Sequence, residues 1–391
     1  VVLLVTGVLL FHGLDLTTLA KKYGTPLKFT YLPVISNQIK KAQNWFEQGM
    51  KKVNYKGKYH YCYCTKSNHF KHTLKEVLKN EAHIETSSAF DIDLIQNLEK
   101  QGHLKRNSHI ICNGFKLDRY IYKINELLTD NYTNVIPVMD NSKELNRFLE
   151  CTKQKLNIGI RIAAEEEPKF PFYTSRLGIG YKDIVPFYNE RIKDNDQVKL
   201  KMLHFFINTG IEDDAYYWNE LHKCLKVYCA LKKVNNDLTA LNIGGGFPIK
   251  NSLSFEYDYE YMVHEIVNQV KTVCHSNGVE EPDIFTEFGS FTVGESGGTL
   301  YEVKHQKAQN DREKWNMINS SFMTTLPDTW AINKKFIMLA TNRWNDTYER
   351  ILLGGITCDS DDYYNSEQHS NAIFLPHYDP EKPLYIGFFN T

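Results

Sequence analysis

Lys66 stands in the run Tyr61-Cys-Tyr-Cys-Thr-Lys-Ser-Asn68, and a lysine amine can form a Schiff base with a carbonyl compound. It closes an alternating apolar stretch, Tyr59 to Cys64. The helical spacing of Phe70, Leu74, Val77 and Leu78 follows. The carboxyl end of a strand, just before a helix, is where α/β barrels place their chemistry. Further segments offer matching groups. Asn242-Ile-Gly-Gly-Gly-Phe-Pro248 ends a strand with Gly244, Gly245 and Gly246, whose backbone N–H groups can close on a phosphate because no Cβ intervenes. Thr286-Glu-Phe-Gly-Ser290 puts Glu287 at another strand end, where a carboxylate can hydrogen-bond a protonated pyridine nitrogen and keep the ring an electron sink. Leu203-His-Phe-Phe-Ile-Asn-Thr-Gly210 sets aromatics on both faces of a strand, one of which can stack on a flat ring. Cys358-Asp-Ser-Asp-Asp362 places a thiol beside three carboxylates, which suits proton donation and cation binding. Each has a plainer reading: a solvated loop lysine, a tight turn, a barrel-mouth ion pair, core aromatics, an exposed acidic turn. Such a strand-end lysine can hold pyridoxal phosphate as a Schiff base, and the glycine turn, the carboxylate and the aromatics are residue types that could serve the phosphate and ring of that cofactor.

The elements that must position these groups alternate. Strand candidates are His60–Cys64, His83–Thr86, His109–Asn113, Val135–Met139, Asn157–Ile162, Lys201–Ile207, Ala240–Ile243 and Asp283–Glu287. Amphipathic helices read over Ala89–Lys100, Leu117–Thr129, Lys143–Thr152, Tyr217–Lys232 and Tyr259–His275. This is the pattern of an α/β fold, a (β/α)8 barrel; an open doubly wound sheet is the alternative. From Gly294 the period turns β-rich: Thr299–Lys304, Phe336–Leu339, Arg350–Thr357, Ala372–Leu375 and Leu384–Phe389. Near the start, 3–11 and 27–33 read as strands around a helix from Leu16 to Tyr23 that ends at Gly24. The expected domains are N-terminal strands over 1–33 joining a C-terminal all-β domain over 294–391, with the barrel over 34–293. There is no internal repeat, and the acidic run Glu165–Glu167 reads as a solvated loop.

At 391 residues the chain is long enough for a barrel and a second domain, and 42% apolar against 24% charged residues suits a large core. A net charge of −1 gives no electrostatic footprint for nucleic acid or an anionic membrane. The eight cysteines are scattered and read as reduced thiols of a cytoplasmic protein. Cys62-x-Cys64 has no second Cys/His pair to complete a zinc site, so no metal is expected. Val1 to Phe11 is too short to span a membrane and has no basic segment before it, so it is not a good signal peptide. The chain starts without Met, and the true start is expected to be missing.

The ordered set of strand-end Lys66, the Gly-Gly-Gly-Phe turn, Glu-x-Gly and Cys-Asp-x-x-Asp resembles the fold-type III pyridoxal phosphate decarboxylases. These are the ornithine, diaminopimelate and arginine decarboxylases, which have an alanine-racemase-like barrel. The resemblance runs from Tyr23-Gly-Thr-Pro-Leu27 to Phe388. Within the family, Ser320-Ser-Phe-Met-Thr-Thr-Leu-Pro-Asp-Thr-Trp-Ala-Ile332 and Thr357-Cys-Asp-Ser-Asp361 look most like the biosynthetic arginine decarboxylases.

The resemblance implies roles. Lys66 matches the Schiff-base lysine, Glu85 an acidic residue near the cofactor's reactive side, Arg161 an arginine near the cofactor, and Gly244–Gly246 the phosphate turn. Glu287 matches the partner of the pyridine nitrogen. Thr209, Gly289 and Ser290 are further candidate cofactor contacts. Cys358 and Asp359 match residues lent across a homodimer interface, the thiol for reprotonation and the carboxylate for the substrate's distal cation; Asp361 or Asp362 would help hold a guanidinium. Three departures stand out. Phe206 occupies the place of a ring-stacking histidine, with His204 on the same strand face as a possible compensation. Ser290 replaces a phosphate-binding arginine. The chain stops at Asn390-Thr391, where the family continues. The implied activity is decarboxylation of L-arginine to agmatine and CO2, in polyamine biosynthesis. Alternatives are the same chemistry on ornithine, lysine or meso-diaminopimelate, a catalytically impaired regulatory relative, and a racemase sharing the barrel.

Overall fold

The computed structural model describes residues 2–3, 7–168, 171–208, 210–211, 213–364 and 373–391. Eight parallel strands close into a barrel: β1 (Tyr59–Cys64), β2 (His83–Thr86), β3 (His109–Cys112), β4 (Asn134–Met139), β5 (Leu156–Arg161), β6 (Val198–His204), β7 (Ala240–Asn242) and β8 (Asp283–Phe288). β8 pairs back onto β1 with Thr286 opposite Tyr61, so no edge remains and the doubly wound alternative does not hold.

Alternation along each strand sorts the side chains. Tyr63, Ile84, Ile110, Ile160, Leu203 and Ile284 join the surrounding helices in one large apolar core. The opposite set fills the barrel in levels. Cys62, Ile111, Val138, Met202, Ala240 and Phe285 form a separate apolar cluster at mid-height. Two positions further along the strands, toward their carboxyl ends, the same register presents Cys64, Glu85, Asn113, Asn242 and Glu287. The apolar plug therefore carries a polar floor for the barrel mouth.

The helices Ala89–Lys100, Asp118–Thr129, Glu144–Cys151, Asp214–Lys232 and Tyr259–Ser276 lie within about a turn of their expected bounds. Several begin on a side-chain cap: Ser88 accepts from the N–H of Asp91, Asp213 from Tyr216 and Asp258 from Tyr261. Two helices differ from expectation. The strand expected over 27–33 ends at Thr30, and a 21-residue helix, Leu32–Lys52, takes over. Pro33 fits its first turn, where the missing N–H costs nothing, and Ile35, Ile39, Ala42 and Phe46 bury one face. The helix Tyr181–Arg191 carries Pro186 in its interior, which hides it from a propensity reading.

A second unit comprises Val1–Tyr31, Lys250–Glu256 and Gly294–Thr391. Its long strand Gly297–Ala308 pairs antiparallel with Leu27–Thr30, Lys314–Ile318 and Leu384–Phe389. Ile337–Ala340 lies beside Leu384–Phe389, and Tyr348–Gly354 runs parallel to Lys314–Ile318. Tyr301, Ile318, Phe322, Leu353 and Phe388 are among the residues of its core. The strand expected over Arg350–Thr357 stops at Gly354, because the N–H of Gly355 turns to the carbonyl of Asp362. Lys314–Ile318, Tyr363–Tyr364 and the short helices Phe322–Thr325 and Pro327–Ile332 were not expected. Ile373–Pro376 takes the place of Ala372–Leu375, whose first residue lies outside the described residues. Among the described residues no helix is long and apolar enough to cross a membrane.

Candidate active site

Lys66 sits in a single 3-10 turn, Thr65–Ser67, directly after β1. The turn is pinned to β2 by the Thr65 hydroxyl, which donates to the Glu85 carbonyl at 3.2 Å. Gly289, after β8, lies close against the turn: a Cβ there would stand 2.0 Å from Ser67 Oγ and 3.1 Å from Ser67 Cβ, so a larger residue would press on the segment that carries Lys66. The Lys66 side chain is exposed at the mouth, and its charge reaches Glu85.

The floor beneath it is a carboxylate pair tied by amides. Asn113 Nδ2 lies 2.9 Å from both oxygens of Glu287 and 3.1 Å from Glu85 Oε1. Asn242 Nδ2 donates to Glu287 Oε1 at 2.6 Å, and His204 Nε2 stands 3.3 Å from Glu287 Oε2. Burial alone would push the Glu287 carboxyl up. The electrostatic pull of nearby His204 and the bonds from Asn113 and Asn242 outweigh it and hold the group down at about 2. Glu85 is pushed the other way, to about 7, by burial and then by repulsion from Glu287, offset only partly by Lys66. Of two neighbouring carboxyls, one is thereby kept ionised at neutral pH and the other is poised to exchange its proton.

The glycine turn follows β7. Gly244 has φ +66, and a Cβ on it would strike the Phe206 ring at 2.8 Å. At Gly245 a Cβ would sit 2.2 Å from the Glu287 carbonyl. Glycine is thus required by close approach of β6 and β8. Among the described residues no acceptor takes the N–H of Gly245 or of Gly246. Phe206 faces the Arg161 guanidinium at 5.3 Å. Arg161 is buried, and its Nε has no hydrogen-bond partner; nor do Glu85 Oε2 and Asn113 Oδ1. Ser290 is exposed at the first position of a four-residue helix. Thr209 lies outside the described residues.

The acidic segment belongs to the β-rich unit. Cys358, Asp359 and Asp361 are exposed. Asp362, expected to touch substrate, is buried and committed to its own loop. Its Oδ1 accepts from the N–H of Phe322 at 2.8 Å, and its Oδ2 from Thr357 N–H at 3.1 Å and Thr357 Oγ1 at 2.6 Å. Burial would raise its carboxyl, but the bonds from Thr357 and Phe322 hold it low. Asp362 shapes the segment that presents Asp359 and Asp361.

Sequence reasoning missed Asn113 and Asn242. Both end a strand in the inward register, two residues beyond Ile111 and Ala240, and that register was the available signal. It also missed Lys116, which is fully buried with Nζ 3.3 Å from Glu144 Oε2 and 2.8 Å from the Gly114 carbonyl. This pair anchors the loop that leaves β3 at Asn113.

Comparison with known proteins is consistent across the chain. A family model described as pyridoxal-dependent decarboxylase, pyridoxal binding domain, matches residues 36–294. A biosynthetic arginine decarboxylase of Prochlorococcus marinus (strain MIT 9215) is 24% identical over 356 residues, covering 84% of this chain and 54% of the relative. The chain spans about half the length of the curated relatives it matches first. The solved biosynthetic arginine decarboxylase of Campylobacter jejuni has a TM-score of 0.80 at 19% identity, over 96% of this chain and 77% of that one. A diaminopimelate decarboxylase from M. jannaschii, solved with L-lysine, has a TM-score of 0.81 at 18% identity, over 98% and 86%. At these identities the two solved structures establish the fold.

Proposed function

Because the chain belongs to the pyridoxal-dependent decarboxylases, with pyridoxal phosphate as cofactor, we propose that it releases CO2 from L-arginine and forms agmatine. The residues present fit the cofactor. The glycine turn has backbone donors to spare, and buried Arg161 Nε, Glu85 Oε2 and Asn113 Oδ1 await polar partners at the mouth. Lys66 would hold the aldehyde carbon covalently, Gly244–Gly246 the phosphate, and Glu287 the pyridine nitrogen. Bound there, the cofactor supplies the electron sink for the pair left when the carboxylate departs as CO2.

The chain's own groups do the rest. Glu287, ionised throughout the neutral range, would hold a proton on the ring nitrogen of a bound cofactor. Asn113 and Asn242 hold that carboxylate in one orientation, with His204 Nε2 3.3 Å away. Glu85, poised at about 7, can take or give a proton beside the Lys66 amine. Asp359 and Asp361, exposed together on the loop that Asp362 fixes, would grip a planar guanidinium. Cys358 would return a proton to Cα, acting in the site of a second copy of the chain. The observation that carries the reading is the Glu85–Asn113–Glu287 arrangement, which gives one carboxyl a fixed charge and the other a mobile proton.

Arginine is preferred to ornithine, lysine or diaminopimelate on the Leu-Pro-Asp-Thr-Trp segment, the Cys-Asp-Ser-Asp run and the names of the curated relatives. A distal carboxylate, as in diaminopimelate, would be repelled by Asp359 and Asp361. Product analysis with the four amino acids, on protein supplied with pyridoxal phosphate, tests this: agmatine should dominate. Cadaverine, putrescine or lysine as the main product would move the specificity elsewhere. A second reading, a regulatory relative without turnover, draws on Phe206 and the exposed Ser290. It predicts bound cofactor with no product from any of the four.

A further inference from the structure

At the other end of the barrel, below the apolar plug, three imidazoles converge. His60, His83 and His109 stand at the starts of β1, β2 and β3 in the inward register, two positions before Cys62, Glu85 and Ile111. One ligand nitrogen from each lies within 4.8 Å of the other two. His60 Nδ1 is 3.3 Å from His83 Nε2. Ring centroids are 4.7 Å apart for His60 and His109, and 4.6 Å for His83 and His109. Phe285 of the plug roofs the group, stacked on His60 at 4.4 Å and edge-on to His109 at 5.0 Å. On β1, β3 and β8 the plug residues Cys62, Ile111 and Phe285 lie between this end and the mouth, while on β2 His83 and Glu85 are successive inward positions. A cleft of about 410 Å³, lined by His60, His83 and Ser108 among others, leads to them.

Histidines gathered only for packing would find hydrogen-bond partners for their buried nitrogens. His109 Nδ1 is buried and has none. Asp283, at the start of β8, stands 3.5 Å from His60 Nε2, on the side away from His83. A carboxylate behind a ligating imidazole is the arrangement that orients metal-bound histidines.

We propose that His60, His83 and His109 bind a divalent ion of the zinc class, tying the first residues of three consecutive barrel strands together. Three neutral imidazole nitrogens suit Zn²⁺, Co²⁺, Ni²⁺ or Cu²⁺ and not the oxygen-seeking Mg²⁺ or Ca²⁺. His60 ligates through Nδ1 while its Nε2–H donates to Asp283. His109 uses the orphaned Nδ1. His83 Nδ1 now accepts from the His109 N–H at 3.2 Å, so ligation through Nε2 moves its proton to Nδ1 and gives up that bond. Zn–N bonds of about 2.0–2.1 Å in a tetrahedron require nitrogens roughly 3.4 Å apart, so the rings must draw in slightly. Three protein ligands leave the fourth position to water from the cleft.

The test uses full-length, cofactor-loaded protein stripped of metal with a chelator and titrated with Co²⁺ alone. We expect one Co²⁺ per chain with the visible d–d bands of a tetrahedral nitrogen site, displaced by Zn²⁺, and a melting temperature that rises with Zn²⁺. Both should be lost in the His83→Gln/His109→Gln protein, whose folding is checked by circular dichroism and by the cofactor's own absorption. Asp283→Asn should weaken binding about 10- to 100-fold. Where the double variant does not fold, zinc-edge X-ray absorption on the wild type decides by counting imidazole ligands. No d–d bands in the wild type, equal bands in the double variant, or fewer than three imidazoles at the edge overturns the assignment.

Discussion

At the scale of single residues, the account rests on which group holds which proton. Lys66→Ala should leave no covalent pyridoxyl group after borohydride reduction and peptide mapping; an adduct at another lysine would move the nucleophile. Asn113→Leu removes the donor shared by Glu85 and Glu287 and leaves the two carboxyls facing each other. Loss of a hydrogen bond to a charged group, about 1.5–3 kcal/mol, corresponds to roughly 10- to 100-fold weaker cofactor binding, read by absorbance titration. Unchanged affinity would assign Asn113 to packing. Lys66, Glu287 and the glycine triplet could be put forward from the sequence because each lies at a strand end next to a turn, and Glu85 from the family resemblance. Asn113 and Asn242 were not, because an amide on a strand has no signature until the closed barrel turns its register inward. Asp362 read as a substrate contact from its neighbours alone; that it is buried under Thr357 and Phe322 depends on a β-turn that sequence spacing does not reveal.

At the scale of elements, all eight barrel strands were readable from alternation, with bounds shifted by up to three residues where apolar residues run past the last ladder bond. The helix Tyr181–Arg191 was hidden by Pro186 and Lys314–Ile318 by its brevity, while the start of Leu32–Lys52 was read as the end of a strand over 27–33. The buried Lys116–Glu144 pair shows what the loops add. Burial pushes the lysine down, opposed by Glu144, and its Nζ is surrounded by the Gly114 and Val138 carbonyls. Lys116→Ala would strand the Glu144 carboxylate in the interior and should cost about 3–5 kcal/mol in urea unfolding. A change within about 0.5 kcal/mol would mean water reaches the site.

At the scale of the whole molecule, a (β/α)8 barrel carries different equipment at its two ends. Burial, then the neighbouring imidazoles, holds His83 at about 3; burial, then His60, holds His109 at about 4. Both are neutral when folded, whereas the unfolded chain takes up protons below about pH 6.5. Stability is therefore fully present above that pH and falls as pH drops toward 4, each unit of depression being worth about 1.4 kcal/mol. Chelator-treated protein melted between pH 7.5 and 4.5 should show this slope, reduced in His83→Gln; a flat profile would contradict the burial. The fold class was legible from the recurrence of strand and helix. The convergence of His60, His83 and His109 was not, since residues 23 and 26 positions apart meet only when three strands lie side by side. The mouth of this barrel is proposed to remove a carboxylate from an amino acid using Lys66. Release of labelled CO2 from carboxyl-labelled L-arginine, with added pyridoxal phosphate, tests it most directly. Release is expected from the wild type and none from Lys66→Ala; equal release by both, or none from wild type that carries covalent cofactor, would rule out this chemistry.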